Sequence, residues 1–575
     1  MASQVTTLEK YFGFSSAQSG FLLSCNDIGY LLTTLIASFF ARKVHIPRSL
    51  SISTIFYGIS GIACSLAFFL SPEYISARTK DSTADDERQY FSKNISNLEN
   101  ISPVLGGKAQ LCHELSYTED QNNDPCAAIS KIAIISGISI LGPVLGFGLG
   151  GVFSSIYVTL EEVNLTIRDP RWIGAWWLGF IVFGVSAVVF SLPLCCFPRR
   201  LKPKRKEKPK KIIVESKLKG SSKEFFGSLK RLFKNPLYIL HVLAVCFALF
   251  LVSSILTFTP KYLETQFGLP TIFANFLFGG VTVASAGLGT ILGGGIVTFF
   301  KLSPFACIKL ILTVNSLIIL APITGFFLGC STPQIVGFPR STDNEYSVLA
   351  MSVTDNHTLG CIGECHCDDK DYFPVCGSDG RTYFSPCHAG CLNSEGRIYT
   401  NCSCIGTNGT AIPGQCETTC TMLWPYMMMS LFGGFVSTLS VIPGIIFTLR
   451  AVEDRDKAMA VGLSSFLQTL IGWMPGPVIG GRIIDSCCLF WRSSCHGDGA
   501  CAFYSNEDYR FKRHIVDAVL RVVIVVIYVI VTILSKRKDN WSTEDTENEH
   551  DNSEEEVKKS FLEKHNGMKM TKQSV

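Results

Sequence analysis

A chain of 575 residues with 47% hydrophobic and 17% charged side chains and a mean hydropathy of +0.29 is too apolar for a set of ordinary soluble domains. Its apolar residues fall in long blocks, which points to an all-α polytopic membrane protein. The net charge of +4 is small and unevenly spread, so it reports membrane orientation and argues against a nucleic-acid partner.

Runs of roughly 18 or more mostly apolar residues mark candidate spans. In chain order they cover 21–40, 49–70, 132–160, 174–197, 236–258, 272–299, 305–329, 422–449, 458–481 and 514–535. Residues 1–20 are polar, and no cleavable signal is expected before the first span. Glycine ladders recur, Gly142, Gly146 and Gly150 in one span and Gly287, Gly289 and Gly293 in another, and four-residue spacing within them places small residues on one helix face where backbones can approach. At the fourth span the chain reads DPRWIGAWWLGFI, Asp169 to Ile181, a charged turn running into an apolar segment. On residue types alone, Trp172, Trp176 and Trp177 read as an aromatic anchor at the membrane interface.

Loop charge sets the orientation. Between Arg199 and Lys234 stand fifteen Lys or Arg and three acids, which the positive-inside rule assigns to the cytoplasm. Counting onward leaves 330–421 and the Cys487–Cys501 loop outside and the polar tail after Lys538 inside, disordered by composition. Counting backward puts loop 71–131 inside, whereas its sequons at Asn94 and Asn100 and its Cys112 and Cys126 argue for outside. The parity fails by one helix.

The organisation expected is a helical half at 1–198, a basic loop at 199–235, helices at 236–329, an outer loop at 330–421, helices at 422–535 and a tail at 536–575. Ten cysteines lie between Cys361 and Cys420: Cys361, Cys365, Cys367, Cys376, Cys387, Cys391, Cys402, Cys404, Cys416 and Cys420. They allow five bridges whose pairing sequence cannot give. Sequons at Asn356, Asn401 and Asn408 favour a disulfide framework over zinc. The spacing of Cys376, Tyr383, Cys387 and Cys391 resembles the Kazal protease-inhibitor fold, which places such a module at about 355–421. A structural or trafficking role is the expectation for it.

No Walker lysine loop, HExxH or GxSxG occurs, so neither catalysis nor a cofactor or metal is expected. Ionisable residues inside spans are the functional candidates, because a charge in lipid needs a cavity or a partner. Asp27 in SCNDIGYLL and Arg521 in AVLRVVIVV compete with a structural ion pair or snorkelling, and Lys261 in TPKYLETQFG competes with an interfacial anchor.

Asp169, Arg171, Trp172, Ile173, Gly174, Ala175, Trp176, Trp177, Gly179 and Phe180 together resemble the signature of the organic anion transporting polypeptide family. The resemblance implies a major-facilitator bundle of two helical halves with a substrate site between them. It implies sodium-independent transport of large amphipathic organic anions (bile salts, steroid conjugates, prostanoids, thyroid hormones) at the plasma membrane. The polar tail offers a site for a cytoplasmic scaffold. Asp27 and Arg521 match an acidic position of the family's second helix and a basic one of its last. Family members have twelve spans, so the chain reads as starting just before the second and lacking the fourth, between Cys126 and Ile140. Leu66, Ala67, Phe68 and Phe69 stand where many members carry LPHF, and Thr469 stands where many carry arginine. The alternative is a non-transporting surface protein that presents a Kazal-like module.

Overall fold

The computed structural model describes residues 2–40, 46–70, 141–161, 163, 165–167, 169–196, 222–338, 367, 372–395, 398–406, 409–417, 420–494 and 497–537. The sequons at Asn94, Asn100, Asn356 and Asn408, the cysteines 112, 126, 361, 365 and 495, most of the basic loop and the tail lie outside the described residues. So does the stretch between residues 126 and 140, where the chain was expected to lack a family helix.

Among the described residues an N-terminal group of helices comprises α1 (Val5–Phe12), α2 (Ser16–Phe40), α3 (Ile46–Leu70), α4 (Leu141–Ser154) and α5 (Trp176–Cys195). An amphipathic helix, α6 (Ser222–Lys234), leads into α7 (Pro236–Phe267), α8 (Thr271–Phe299), α9 (Pro304–Ile318), α10 (Leu320–Gly325), α11 (Leu423–Thr438), α12 (Val441–Arg450), α13 (Lys457–Leu467), α14 (Pro475–Asp485) and α15 (Asn506–Arg537). Seven of these segments are long and apolar enough to cross a membrane as continuous pieces. All ten expected spans contain helix, but several bounds differ.

The expected span 132–160 ends at Ser154, because the chain then turns back and Tyr157 bridges Gly174. The next span accordingly begins at Trp176 and not at residue 174. The span expected at 458–481 is two helices joined by a π-helical turn, Gln468–Trp473, with Pro475 opening the second. The segment expected as 236–258 runs on to Phe267 through Pro260, capped by Asn235 at its start and by Gly268 at φ 65° after its end. Helix α6 was not foreseen within the basic loop. Its Leu232 is buried against Tyr238, Val242 and Leu463, and Arg231 donates to both oxygens of Asp456 at 2.8 and 2.7 Å.

The glycine pattern tells close packing from open space. A Cβ built at Gly289 would lie 2.4 Å from the Phe435 carbonyl oxygen and one at Gly293 2.5 Å from that of Leu439, so α8 and α11 touch backbone to backbone. Gly142, Gly146 and Gly287 have open space instead. Across the two groups, α2 packs along α13 and α14, and α4 packs on α8.

The cysteine-rich insert is a six-stranded sheet in the order β1-β3-β2-β6-β5-β4. Its strands are β1 (Ile335–Val336), β2 (Val375–Gly377), β3 (Thr382–Tyr383), β4 (Cys391–Glu395), β5 (Ile398–Cys402) and β6 (Ala411–Pro413). Disulfides join Cys367 to Cys387, Cys376 to Cys416 and Cys391 to Cys402. Cys404 is disulfide-bonded as well. Cys420 is not paired within the ten-cysteine block as expected. It bonds Cys330, just past α10, which ties the insert to the helix that precedes it. A hairpin of β7 (Cys488–Ser494) and β8 (Gly497–Tyr504), closed by Cys488–Cys501, packs Phe490 and Phe503 against Tyr372 and Phe384 of the insert. Asn401, the one sequon residue described, is exposed at the end of β5.

Candidate functional site

The tryptophans of the signature stretch do not form an interfacial belt. Trp176 is 2% and Trp177 7% exposed, packed with Leu8 and Tyr11 of α1 and Phe68 of α3. Phe68 stacks on Trp177 at 5.1 Å. Two indole N–H groups are bonded inward, Trp172 to the Ser154 carbonyl and Trp177 to that of Val158, both at 2.9 Å. This is why α4 stops at Ser154: the indoles and the Tyr157–Gly174 bridge hold the turn that follows it. A Cβ at Gly174 would lie 2.6 Å from Ser154 Cα, so only glycine permits the approach. Asp169 is buried and accepts from Nε and Nη2 of Arg171 at 3.1 and 3.0 Å. The Asp169 hydrogen bonds hold the guanidinium's affinity for its proton above the ordinary value.

The seam between the two groups of helices is closed at the end that bears the disulfides. Lys261 is 4% exposed, and its ammonium donates to the Glu9 carboxylate, to Ser16 Oγ at 2.8 Å and to the Tyr504 hydroxyl at 2.8 Å. Residues of α1, α2, α7 and the β7–β8 hairpin thus meet at one cation. A buried ammonium needs this many acceptors, since each ion removed from water costs several kcal/mol. Burial pushes the Tyr504 phenol up, which keeps it a neutral partner.

One turn along, the start of α2 is capped twice. Ser15 and Gln18 form a reciprocal capping box, Gln18 N–H to Ser15 Oγ at 3.3 Å and Ser15 N–H to Gln18 Oε1 at 3.0 Å. The N–H groups of Ser16 and Ala17 donate instead to Asp485 at the end of α14, each at 2.9 Å. A helix of one group is therefore capped by a carboxylate of the other. Gly20 permits the contact that follows, because a Cβ there would stand 2.2 Å from the Pro477 carbonyl oxygen. Ser24 Oγ donates to the Met474 carbonyl at 2.6 Å.

Deeper along the seam, Asp27 shares the buried face of α2 with Gly20, Ser24 and Thr34, the face turned to the π-helical turn and its buried Thr469. Asp27 also lies within electrostatic reach of Tyr57 on α3. Arg521 sits on a different wall. On α15, Arg513, Asp517, Arg521, Ile524 and Tyr528 recur at helical spacing. Ile524 and Tyr528 are buried among residues of α7, α9 and α12, so this face points into the C-terminal group and not to lipid. Arg521 Nε donates to Asp517 at 2.7 Å, and Arg513 donates to Thr259 at 2.7 Å and lies over the Tyr262 ring. A hollow of about 580 Å³ between α7, α14 and α15 is lined by Phe247, Phe250, Ile471, Pro475 and other apolar residues.

Sequence reading found Lys261, Asp27 and Arg521 but not Glu9, Asp485 or Tyr504, whose partners lie hundreds of residues away. The only local signal was an acid at the edge of an apolar turn in TTLEKYF.

Residues 1–509 match the profile described as the Organic Anion Transporter Polypeptide (OATP) family. The chain is 30% identical over 589 residues to Solute carrier organic anion transporter family member 2B1 of Rattus norvegicus, covering 88% of this chain and 84% of that one. It is 32% identical over 540 residues to member 4C1 of Pongo abelii, covering 87% and 74%. Against member 1B3 of Homo sapiens the identity is 28% over 608 residues, covering 94% and 86%. Among solved structures, a bacterial homolog of the human lysosomal transporter Spinster, inward-facing and unoccupied, superposes with a TM-score of 0.48 at 14% identity, covering 92% of this chain and 93% of that chain.

Proposed function

The chain belongs to the organic anion transporter polypeptide family, and from that membership we propose sodium-independent carriage of large amphipathic organic anions by alternating access. Bile salts, steroid conjugates, prostanoids and thyroid hormones are the substrate classes to try first. The observation that carries the reading beyond family membership is the seam itself. Two groups of helices, α1–α5 and α7–α15, meet at one end in a cluster of buried charges, with ionisable side chains on the walls further in, and the cycle proposed parts that cluster.

The disulfide-bearing end is the extracellular one in this reading, and the basic loop and tail face the cytoplasm. The bridges Cys330–Cys420 and Cys488–Cys501 support it, because disulfides persist in oxidising compartments. The residence proposed is the plasma membrane. Arg521 contributes positive potential on the C-terminal wall, and Asp27 marks the facing N-terminal wall. Apolar side chains such as Phe247 and Ile471 supply a lining suited to the body of an amphiphile. The Kazal-like insert is read as structural.

Uptake of a radiolabelled steroid sulfate into cells expressing the chain tests the proposal. Uptake above an empty-vector control, unchanged when choline replaces sodium, is the expected result. No excess uptake with the protein shown at the surface would overturn it.

A further inference from the structure

Arg171 and the cysteine-rich insert meet. The Arg171 guanidinium carbon stands 5.3 Å from the centre of the Phe373 ring, immediately before β2. Tyr399 of β5 is close enough to feel the same charge. The contact joins two bodies that are each fixed elsewhere. Arg171 is held by Asp169 through backbone and side chain, and the adjacent Trp172, Trp176 and Trp177 anchor that turn on α1, α3 and α4. Phe373 belongs to a sheet tied to the C-terminal helices by Cys330–Cys420 and by the aromatic cluster of Tyr372, Phe384, Phe490 and Phe503.

We propose that Arg171 and Phe373 form a latch by which the cysteine-rich insert holds the disulfide-bearing end of the seam shut. The chemistry suits arginine in particular. The edge of the guanidinium is occupied by the two Asp169 oxygens, which fix its plane, and its flat face remains for the ring. When the two halves separate at this end, Arg171 travels with α5 and Phe373 with α9 and α10, so the contact must break. A cation over a ring at a half-exposed site shifts the closed-to-open ratio by about two- to thirtyfold. The insert is then a working part of the transport cycle, and whatever grips it from outside would change the rate of opening. The inference rests on the alternating-access reading above but is tested without a substrate.

The experiment places a thiol beneath the latch. Ser24, 2% exposed in the seam, is changed to cysteine in a Cys25→Ser background, and a membrane-impermeant maleimide is applied to intact cells. Labelling at residue 24 is read by peptide mass. Phe373→Leu, which leaves the Asp169–Arg171 pair intact, is expected to speed labelling at least about twofold. Arg171→Ala should do the same, and the double variant should be no faster than either single one. Equal labelling of Phe373→Leu and its parent overturns the latch, and so do independent, multiplying effects of the two changes. If Arg171→Ala fails to reach the surface, Phe373→Leu alone decides. A chain that fails to take up any anion but shows these labelling changes would sink the transport proposal and keep the latch.

Discussion

Lys261 and Glu9, 252 positions apart in sequence, form an ion pair in which both side chains are under a tenth exposed. Removing one partner of such a pair strands a charge in a dry site, at about 3–5 kcal/mol. Glu9→Gln and Lys261→Met are each expected to lower the thermal midpoint of the detergent-solubilised protein and its surface level. The double variant should recover most of the loss, because two neutral side chains of similar volume need no compensation. Single variants as stable as the parent would mean that the pair contributes nothing to holding the halves together.

Gly293 and Gly287 lie on the same helix but predict opposite outcomes. A side chain at Gly293 would meet the Leu439 backbone, which cannot give way, whereas Gly287 has nothing within 4 Å. Gly293→Leu should abolish surface expression and Gly287→Leu should leave it near the parental level, as judged by biotinylation of intact cells.

The Arg231–Asp456 pair docks α6 on the loop before α13. Hydrogen bonds from Arg231 hold the Asp456 carboxyl below its ordinary value. A depressed pKa contributes stability that is present above the unfolded-state value, about 3.9, and lost as pH falls through the folded one. Docking should therefore be flat across neutral pH and weaken only below about pH 4. Asp456→Asn is expected to reproduce the acid state at pH 7, read as faster tryptic cleavage between Lys223 and Lys234. Cleavage that rises between pH 8 and pH 6 in the parent would assign the control to some other group.

Arg521 is paired with Asp517, so an anion bound at that wall as proposed would compete with this carboxylate. Arg521→Ala should raise KM for a steroid sulfate by about tenfold, the scale of a lost charge-assisted hydrogen bond. Asp517→Asn, which frees the guanidinium, should lower it. A neutral steroid should be indifferent to both, and equal effects on the neutral and anionic compounds would reduce Arg521 to a packing role.

The spans were legible because lipid thickness is written into run length, and each of the ten runs contains helix. Their interruptions were not. Ser154, Ile319 and the π-helical turn at Gln468 sit inside continuous apolar runs, and what breaks the helix at Ser154 is a tertiary contact from Trp172. Trp176 and Trp177 were read toward the interface because an indole suits a membrane boundary and a packed core equally well. The partner that decides, Phe68, is more than a hundred residues away. Lys261 was found by its place in a helix, but its acceptors come from three other segments, and no spacing rule connects them. Cys330 escaped the cysteine block for the same reason. It stands 90 residues before its partner, beyond the dense cluster that drew attention.

Asp485 lends its carboxylate to Ser16 and Ala17 across the seam, while Gln18 and Ser19 find their acceptors at Ser15 in their own segment. Deuterium uptake at the first two amides is accordingly tied to how often the halves part, and uptake at the next two is not. Four consecutive backbone protons thus carry a signal and its internal reference, a clock for the opening of this end that needs neither a probe nor a transported compound.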